Sequence, residues 1–317
     1  MVLPSSYQKL LLCLAGVPTA SGARSRLSAP ALPRSAGPAT GSDHILPAMA
    51  GSSAERQPIT CICRNLAEIT ELIHTAFLVH RGIVNLKEWT NADGPLKDMQ
   101  FGNKMAVLSG DFLLANACTG LAQLNNTKVV ELISSAIGDL VQGIYYEGSH
   151  SGEDSCIADV SLASWEDQTF LSHGALLAKS CQAAMELAKH NTDAQMLAYQ
   201  YGKHLSLGHK LNSDLQPFVK SSIAEPVPFS LDLAPVVFHR HIVGQEKWLQ
   251  QLQQARSMGR PINYSKLWLT IKTGNGVSQA MDLCSYHGNK ALEAIKRFPP
   301  SEARSALENI ASAVTKI

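Results

Sequence analysis

Leu66-Ala67-Glu68-Ile69-Thr70-Glu71-Leu72-Ile73-His74-Thr75-Ala76-Phe77-Leu78-Val79-His80-Arg81-Gly82-Ile83-Val84-Asn85 is the stretch from which the rest of the chain can be read. Its apolar residues Leu66, Ile69, Ile73, Ala76 and Phe77 recur at the spacing of one helical face, while Glu68 and Glu71 fall elsewhere. The spacing predicts an amphipathic helix. That helix runs into Arg81-Gly82-Ile83-Val84-Asn85, five residues with no carboxylate among them.

Working outward, Met105 to Leu121 is dense in Ala, Leu and Val, and Val129 to Tyr146 carries apolar residues at helical spacing. Both are expected to be buried over most of their circumference. Further amphipathic segments run over Trp165–Lys189, Ala194–Leu211, Pro235–Ala255 and Val277–Lys296, with no alternating strand pattern between them. Pro299-Pro300 breaks the chain, and Ser301 then serves as N-cap, with Glu302 in the first turn, for a last helix to about Val314. The fold class is therefore all-α, a bundle of about eight to ten helices over residues 66–317. Residues 51–65, polar and punctuated by Pro58, read as a linker. Residues 1–50 read as an extension. Met1 to Ser42 lacks Asp and Glu and spreads Lys9, Arg24, Arg26 and Arg34 among Ser, Ala and Pro, the composition of an organelle transit peptide; the alternative is a disordered extension with no targeting role.

At 317 residues and 45% hydrophobic content the chain can bury a large core. A net charge of +1 provides no basic field for nucleic acid. The seven cysteines are scattered, which points to a reducing compartment, and Cys61-x-Cys63 has the wrong spacing for a zinc knuckle or a redox pair. His239-x-His241 on a helix points its rings apart and lacks a third ligand, Gly274-Asn275-Gly276 reads as a turn, and His74 and His80 read as packing or hydrogen-bonding residues. No transmembrane segment is read, since Leu10–Ala15 is too short to span a bilayer.

Phe101-Gly102-Asn103-Lys104-Met105-Ala106-Val107-Leu108-Ser109-Gly110-Asp111-Phe112-Leu113-Leu114-Ala115 is similar, almost residue for residue, to the "FGNK-AVLAGDFLLA" segment of the trans-isoprenyl (polyprenyl) diphosphate synthases. "ELIHTAFLVH" resembles the helix that runs into that family's first Asp-Asp-x-x-Asp motif. Asp139–Gly143 sits where the family has Gly-Glu-x-x-Gln, and Thr169–Ala184 follows its Lys-Thr-Ala-x-Leu helix. Tyr201-Gly202-Lys203-His204-Leu205 leads into the second aspartate-rich position, and Asn289–Leu307 resembles the C-terminal helices. The resemblance implies an isoprenoid-synthase-like bundle, and it is strongest to the family's divergent partner subunits. The family's first helices, with a basic Gly-Lys-x-x-Arg element, have no counterpart in residues 1–65, so the bundle is expected to lack them and to expose apolar faces.

The family's reaction ionises an allylic diphosphate, and Mg²⁺ held by converging carboxylates takes the departing diphosphate. Here the first motif becomes Arg81, Gly82, Ile83, Val84 and Asn85; the family's Arg-Arg falls on Asn91-Ala92, with Pro95 kept; its Lys-Thr falls on His173-Gly174. The second motif becomes Ser213, Asp214, Leu215, Gln216 and Pro217, and Pro217 is poorly compatible with an uninterrupted helix. Asp214 is read as a surface or hydrogen-bonding residue, and Arg81 as either filling the vacated position by pairing with a neighbouring carboxylate or pointing to solvent. The resemblance thus implies no catalytic or metal-binding residue and no cofactor in this chain, with Mg²⁺ in a catalytic partner. It places the interface with that partner on Lys104–Leu121 and Val129–Tyr146, and makes Phe101, Gly102, Asn103, Lys104, Gly110, Asp111 and Phe112 structural or interface residues. The implied function is a non-catalytic (regulatory or structural) subunit of a heteromeric all-trans polyprenyl diphosphate synthase, such as a heterotetramer, which makes the ubiquinone side-chain precursor from an allylic diphosphate and isopentenyl diphosphate in the mitochondrial matrix, with peripheral contact with the inner membrane left open. The alternative is a stand-alone isoprenoid-binding or scaffolding protein.

Overall fold

Helix α1 (Ile59–Arg81) buries Cys63, Leu66, Ala67, Ile69, Ile73, Ala76 and Phe77, the face marked by the sequence spacing. The computed structural model describes residues 59–86, 89, 94–149, 162–219, 229–255 and 263–316. The transit-peptide-like segment and Asn91-Ala92 lie outside these residues. Residues 59–65, read as linker, are the first turns of α1. The reason is Cys63, which extends the buried stripe one turn upstream of Leu66 and whose thiol is pushed by burial up to about 11.

The chain continues through α2 (Leu96–Gln123), α3 (Thr127–Ser149) and α4 (Leu162–Thr169). α4 passes through a π-turn (Phe170–Gly174) into α5 (Ala175–Leu187). Then come α6 (Thr192–Val219), α7 (Ala234–Val243), α8 (Gln245–Ala255), α9 (Tyr264–Lys272), α10 (Asn275–Lys296) and α11 (Glu302–Val314). The described residues thus form an all-α bundle, with more helices than periodicity alone predicts. The Pro235–Ala255 stretch divides at Gly244, whose φ of 82° ends α7 in a conformation that side-chain-bearing residues rarely adopt. α9 has only nine residues, too few for periodicity to reveal, although Asn263 caps it by accepting a hydrogen bond from Lys266 N at 3.1 Å. Ser301 caps α11 as expected, accepting from Arg304 N at 3.1 Å.

One core gathers α1, α3, α5, α6 and α11 around residues such as Leu66, Ile73, Ile133, Leu176, Met185 and Tyr201. A second, around Phe218, Val236, Trp248 and Trp268, joins the end of α6 to α7, α8 and α9. Two pairings tie polar groups inside this core: Thr70 on α1 shares a 3.0 Å hydrogen bond with Ser180 on α5, and the Tyr201 hydroxyl donates to Leu307 O at 2.9 Å.

α2 departs from the expectation of near-complete burial. Its buried residues are Gly110, Ala117 and Leu121, while Phe101 is 65% and Phe112 67% exposed. The helix touches α1 along a narrow stripe of small residues, where His80 lies against Gly110 and Ile69 against Gly120, and its apolar outer side faces away. By length and composition α2 is also able to cross a membrane, which the sequence reading did not foresee. α3 is buried on one side, through Val129, Ile133, Ala136 and Leu140, and leaves Val141 and Tyr145 exposed.

Two glycines of α3 differ in their surroundings. A Cβ on Gly143 would come within 2.6 Å of the Ser172 backbone nitrogen in the π-turn, whereas one on Gly138 would meet open space. Gly143→Ala should therefore destabilise by about 1–3 kcal/mol through overpacking. Gly138→Ala should stabilise by about 0.5–1 kcal/mol through helix entropy. Urea unfolding of the two variants would check both signs.

Candidate functional site

The first motif position begins at the last residue of α1 and runs into the turn after it, and the second lies on α6; both helices reach the π-turn. α1 ends at Arg81, where Gly82 N donates to Val79 O at 3.0 Å and Ile83 N to His80 O at 3.2 Å. Beyond this turn, Asn103 on α2 holds the backbone of Val84 from both sides. Val84 N donates to its Oδ1 at 3.0 Å, and its Nδ2 donates to Val84 O at 2.9 Å. Residues 82–86 are therefore non-helical, and Arg81 and Asn85 do not share a helix face.

Arg81 is exposed, and its guanidinium reaches the π-turn, donating to Ser172 O at 3.5 Å. From α6, Ser206 lies against Gly174 of the same turn: a Cβ there would stand 3.0 Å from Ser206 Oγ. One turn further along the same face is Lys210, paired with Asp214 at 2.5 Å. Asp214 Oδ2 also accepts from Ala234 N at 3.1 Å, so the carboxylate caps the start of α7. Asp214 is 3% exposed. Of the two readings of this residue, the hydrogen-bonding one holds and the surface one does not, because a cation and a helix-terminal amide compensate its burial. Burial pushes its carboxyl above the usual range, opposed by the Lys210 charge and by both hydrogen bonds.

Ser213 is exposed. Pro217 does not interrupt α6, which continues to Val219. It lies in the last turn, so it removes one hydrogen bond, to the carbonyl of exposed Ser213, which solvent can take over. The Pro217 carbonyl accepts from Trp268 Nε1 at 2.9 Å.

In the π-turn, Ser172 Oγ donates to Gln168 O at 3.1 Å and lies 2.7 Å from His173 Nδ1. A hydroxyl has one proton, so Ser172 accepts from His173, whose Nδ1 carries the hydrogen. Burial, followed by the charges of Lys210 and Arg81, pushes His173 down to about 3 and keeps it neutral at pH 7. His74 is lowered by burial and by Arg81, and His209 chiefly by burial. The sequence reading missed the π-turn; its one signal is Gly174 inside a helical pattern.

These residues do not fit a Mg²⁺ cluster. Mg²⁺ requires hard oxygen donors in number, and the single carboxylate here is committed to Lys210 and to α7. Among the described residues no group of three or more His, Cys, Asp or Glu is placed to hold a metal ion. His239 is buried with Nε2 2.9 Å from Gln251 Oε1, while His241 is exposed.

The remaining selected residues divide between two sides of α2. Asn103 and Gly110 turn towards α1, Gly110 making room for the His80 ring, whose Nε2 lies 3.5 Å from Asp111 Oδ1. Phe101, Gly102, Lys104 and Phe112 are exposed. Phe101, Met105, Leu108 and Phe112 form one apolar stripe at helical spacing.

The polyprenyl synthetase family model matches residues 46–232, and the chain belongs to that family. It is 63% identical over 253 residues to the all trans-polyprenyl-diphosphate synthase PDSS2 of Homo sapiens, covering 80% of this chain and 63% of that protein. The chain thus spans less than two thirds of that relative's length. It is 33% identical over 261 residues to a probable mitochondrial hexaprenyl pyrophosphate synthase of Neurospora crassa, covering 78% of this chain and 56% of the relative. Among solved structures, the apo form of an Arabidopsis medium/long-chain length prenyl pyrophosphate synthase superposes with a TM-score of 0.64 at 27% identity, covering 82% of each chain.

Asp214→Ala should cost about 2–4 kcal/mol, because it strands the Lys210 charge and uncaps α7; thermal unfolding would show it. His173 gives a pH dependence. Its folded value lies below the ordinary 6.5, so between 6.5 and about 3 the unfolded chain binds the additional proton. Its contribution to stability is complete above pH 6.5 and is lost as pH falls, at up to about 1.4 kcal/mol per pH unit. Urea unfolding from pH 7 to 4 should show a shallower loss in His173→Asn.

Proposed function

We propose that this chain is a non-catalytic subunit of a heteromeric all-trans polyprenyl diphosphate synthase. The observation that carries this reading is the replacement of the acidic motifs: Arg81 to Asn85 contains no carboxylate, and Asp214 is committed to Lys210 and the start of α7. The Mg²⁺ needed for ionisation would then be bound by a catalytic homologue, which supplies the intact aspartate motifs. The complex would add isopentenyl diphosphate successively to an allylic diphosphate, providing the long side chain of ubiquinone. The names of the human and Neurospora relatives support a polyprenyl product and a mitochondrial site of action.

The exposed stripe of α2 is the surface offered to the partner, together with Val141 and Tyr145 of α3. Burying large aromatic residues at such a surface would supply much of the binding energy. Supplied with Mg²⁺, farnesyl diphosphate and isopentenyl diphosphate, the chain alone should form no product. Co-expressed with a catalytic homologue, it should elute with it in size-exclusion chromatography. Phe112→Glu should abolish co-elution while changing the chain's own stability by no more than about 0.5 kcal/mol. Persistent separation with the homologue's activity unchanged would instead favour a stand-alone isoprenoid-binding role. Mg²⁺-dependent elongation by this chain that Asp214→Ala removes would overturn the non-catalytic reading.

A further inference from the structure

Away from the motif positions, two histidines meet where α6 packs on α10. His204 Nδ1 lies 2.9 Å from His287 Nδ1, with the ring centroids 5.2 Å apart. We propose that this pair is an acid-sensitive latch, in which two neutral imidazoles joined by a single N–H hold α10, together with the end of α11, against α6.

The burial of His287 decides which ring donates. Its Nε2 is buried and has no hydrogen-bond partner. A hydrogen there would strand a donor, so it sits on His287 Nδ1 and points at His204 Nδ1, and His204 keeps its own hydrogen on Nε2. A further proton has two places to go, and both oppose it. On His204 Nδ1 it would face the N–H of His287 and break the bond; on His287 Nε2 it would make a charged donor buried without an acceptor.

The groups around the pair come from three helices. Lys203 on α6 and Lys290 on α10 oppose a proton on His204, Glu293 on α10 favours one, and Lys203 also acts on His287. Glu166 of α4 reaches Lys203 at 4.0 Å, Glu293 pairs with Lys290 at 2.8 Å, and the Tyr286 ring stands edge-on to both imidazoles. Burial, ahead of these charges, pushes both histidines down to about 4. Since both folded values lie below the ordinary 6.5, the latch is complete above pH 6.5 and is lost as pH falls towards 4.

What the latch holds is a junction of three helices. A Cβ on Gly208 of α6 would stand 3.0 Å from Val314 Cγ1 of α11 and 3.6 Å from His287 Cβ. One turn before His287, Cys284 Sγ is buried 3.4 Å from Gly208 O and 3.7 Å from Val314 O, and Asn212 Nδ2 donates to Val314 O at 2.7 Å. Parting the imidazoles opens this junction and exposes Cys284.

Two measurements on the full chain test the latch. Nitrogen-15 NMR of histidine-labelled protein at pH 7 should place hydrogen on His287 Nδ1 and on His204 Nε2, with neither ring titrating above about pH 6. Dithiodipyridine, which modifies thiols even in acid, should label Cys284 equally slowly in the parent and in His204→Asn at pH 7. At about pH 4.5 it should label the parent at least tenfold faster, because the asparagine Oδ1 keeps an acceptor for the His287 N–H and removes the titrating group. Hydrogen on His287 Nε2, titration of either ring above about pH 6, or equal labelling of parent and variant in acid would overturn the proposal. The NMR measurement needs no variant, so it decides the matter even where His204→Asn lowers the melting temperature.

Discussion

The carboxylate of Asp214 ties together parts of the bundle that sequence separates. One oxygen meets the Lys210 ammonium on its own helix, and the other meets the first amide of α7. Because the group is almost fully buried, both bonds work against the cost of removing the carboxylate from water. The bond to Ala234 N fixes where α7 begins and therefore how Val236 and Phe238 enter the cores beside α6. A residue type associated with metal binding in this family is used here as a joint between helices.

The all-α architecture and the α1 face were legible because buried stripes recur at helical spacing, as at Leu66, Ile69 and Ile73. The Ser301 cap was legible because capping is a local bond between a side chain and a nearby amide. The uncovered side of α2 was not. Ala, Leu and Val at high density look the same whether neighbouring helices or a second protein covers them. Pro217 was misjudged because the cost of a helical proline depends on its distance from the helix end, which periodicity places poorly. The loss of the acidic motifs could be read directly from residue types. The approach of Arg81 and Lys210 to one turn could not, since it depends on how α1 and α6 pack around residues 170–174.

Asn103 also links two features that look unrelated in sequence. Its amide holds the backbone just past the end of α1, yet it belongs to the helix whose opposite side carries the exposed aromatics. The position of Arg81 is thus set partly by α2, so the end of α1 and the proposed partner surface share one support.

The π-turn shifts the phase of a helix. Each residue of an α-helix turns about 100° around the axis, so one additional residue in a turn rotates everything downstream by about that angle. Upstream of it, Trp165 packs edge-on against Phe238 of α7; downstream, Leu176, Cys181 and Met185 enter the core shared with α1. A continuous helical rod therefore serves two separate cores through an offset of one residue. Deleting one residue within 170–174 would make the helix more regular and the protein worse, because Trp165 and Cys181 could no longer both face their own core.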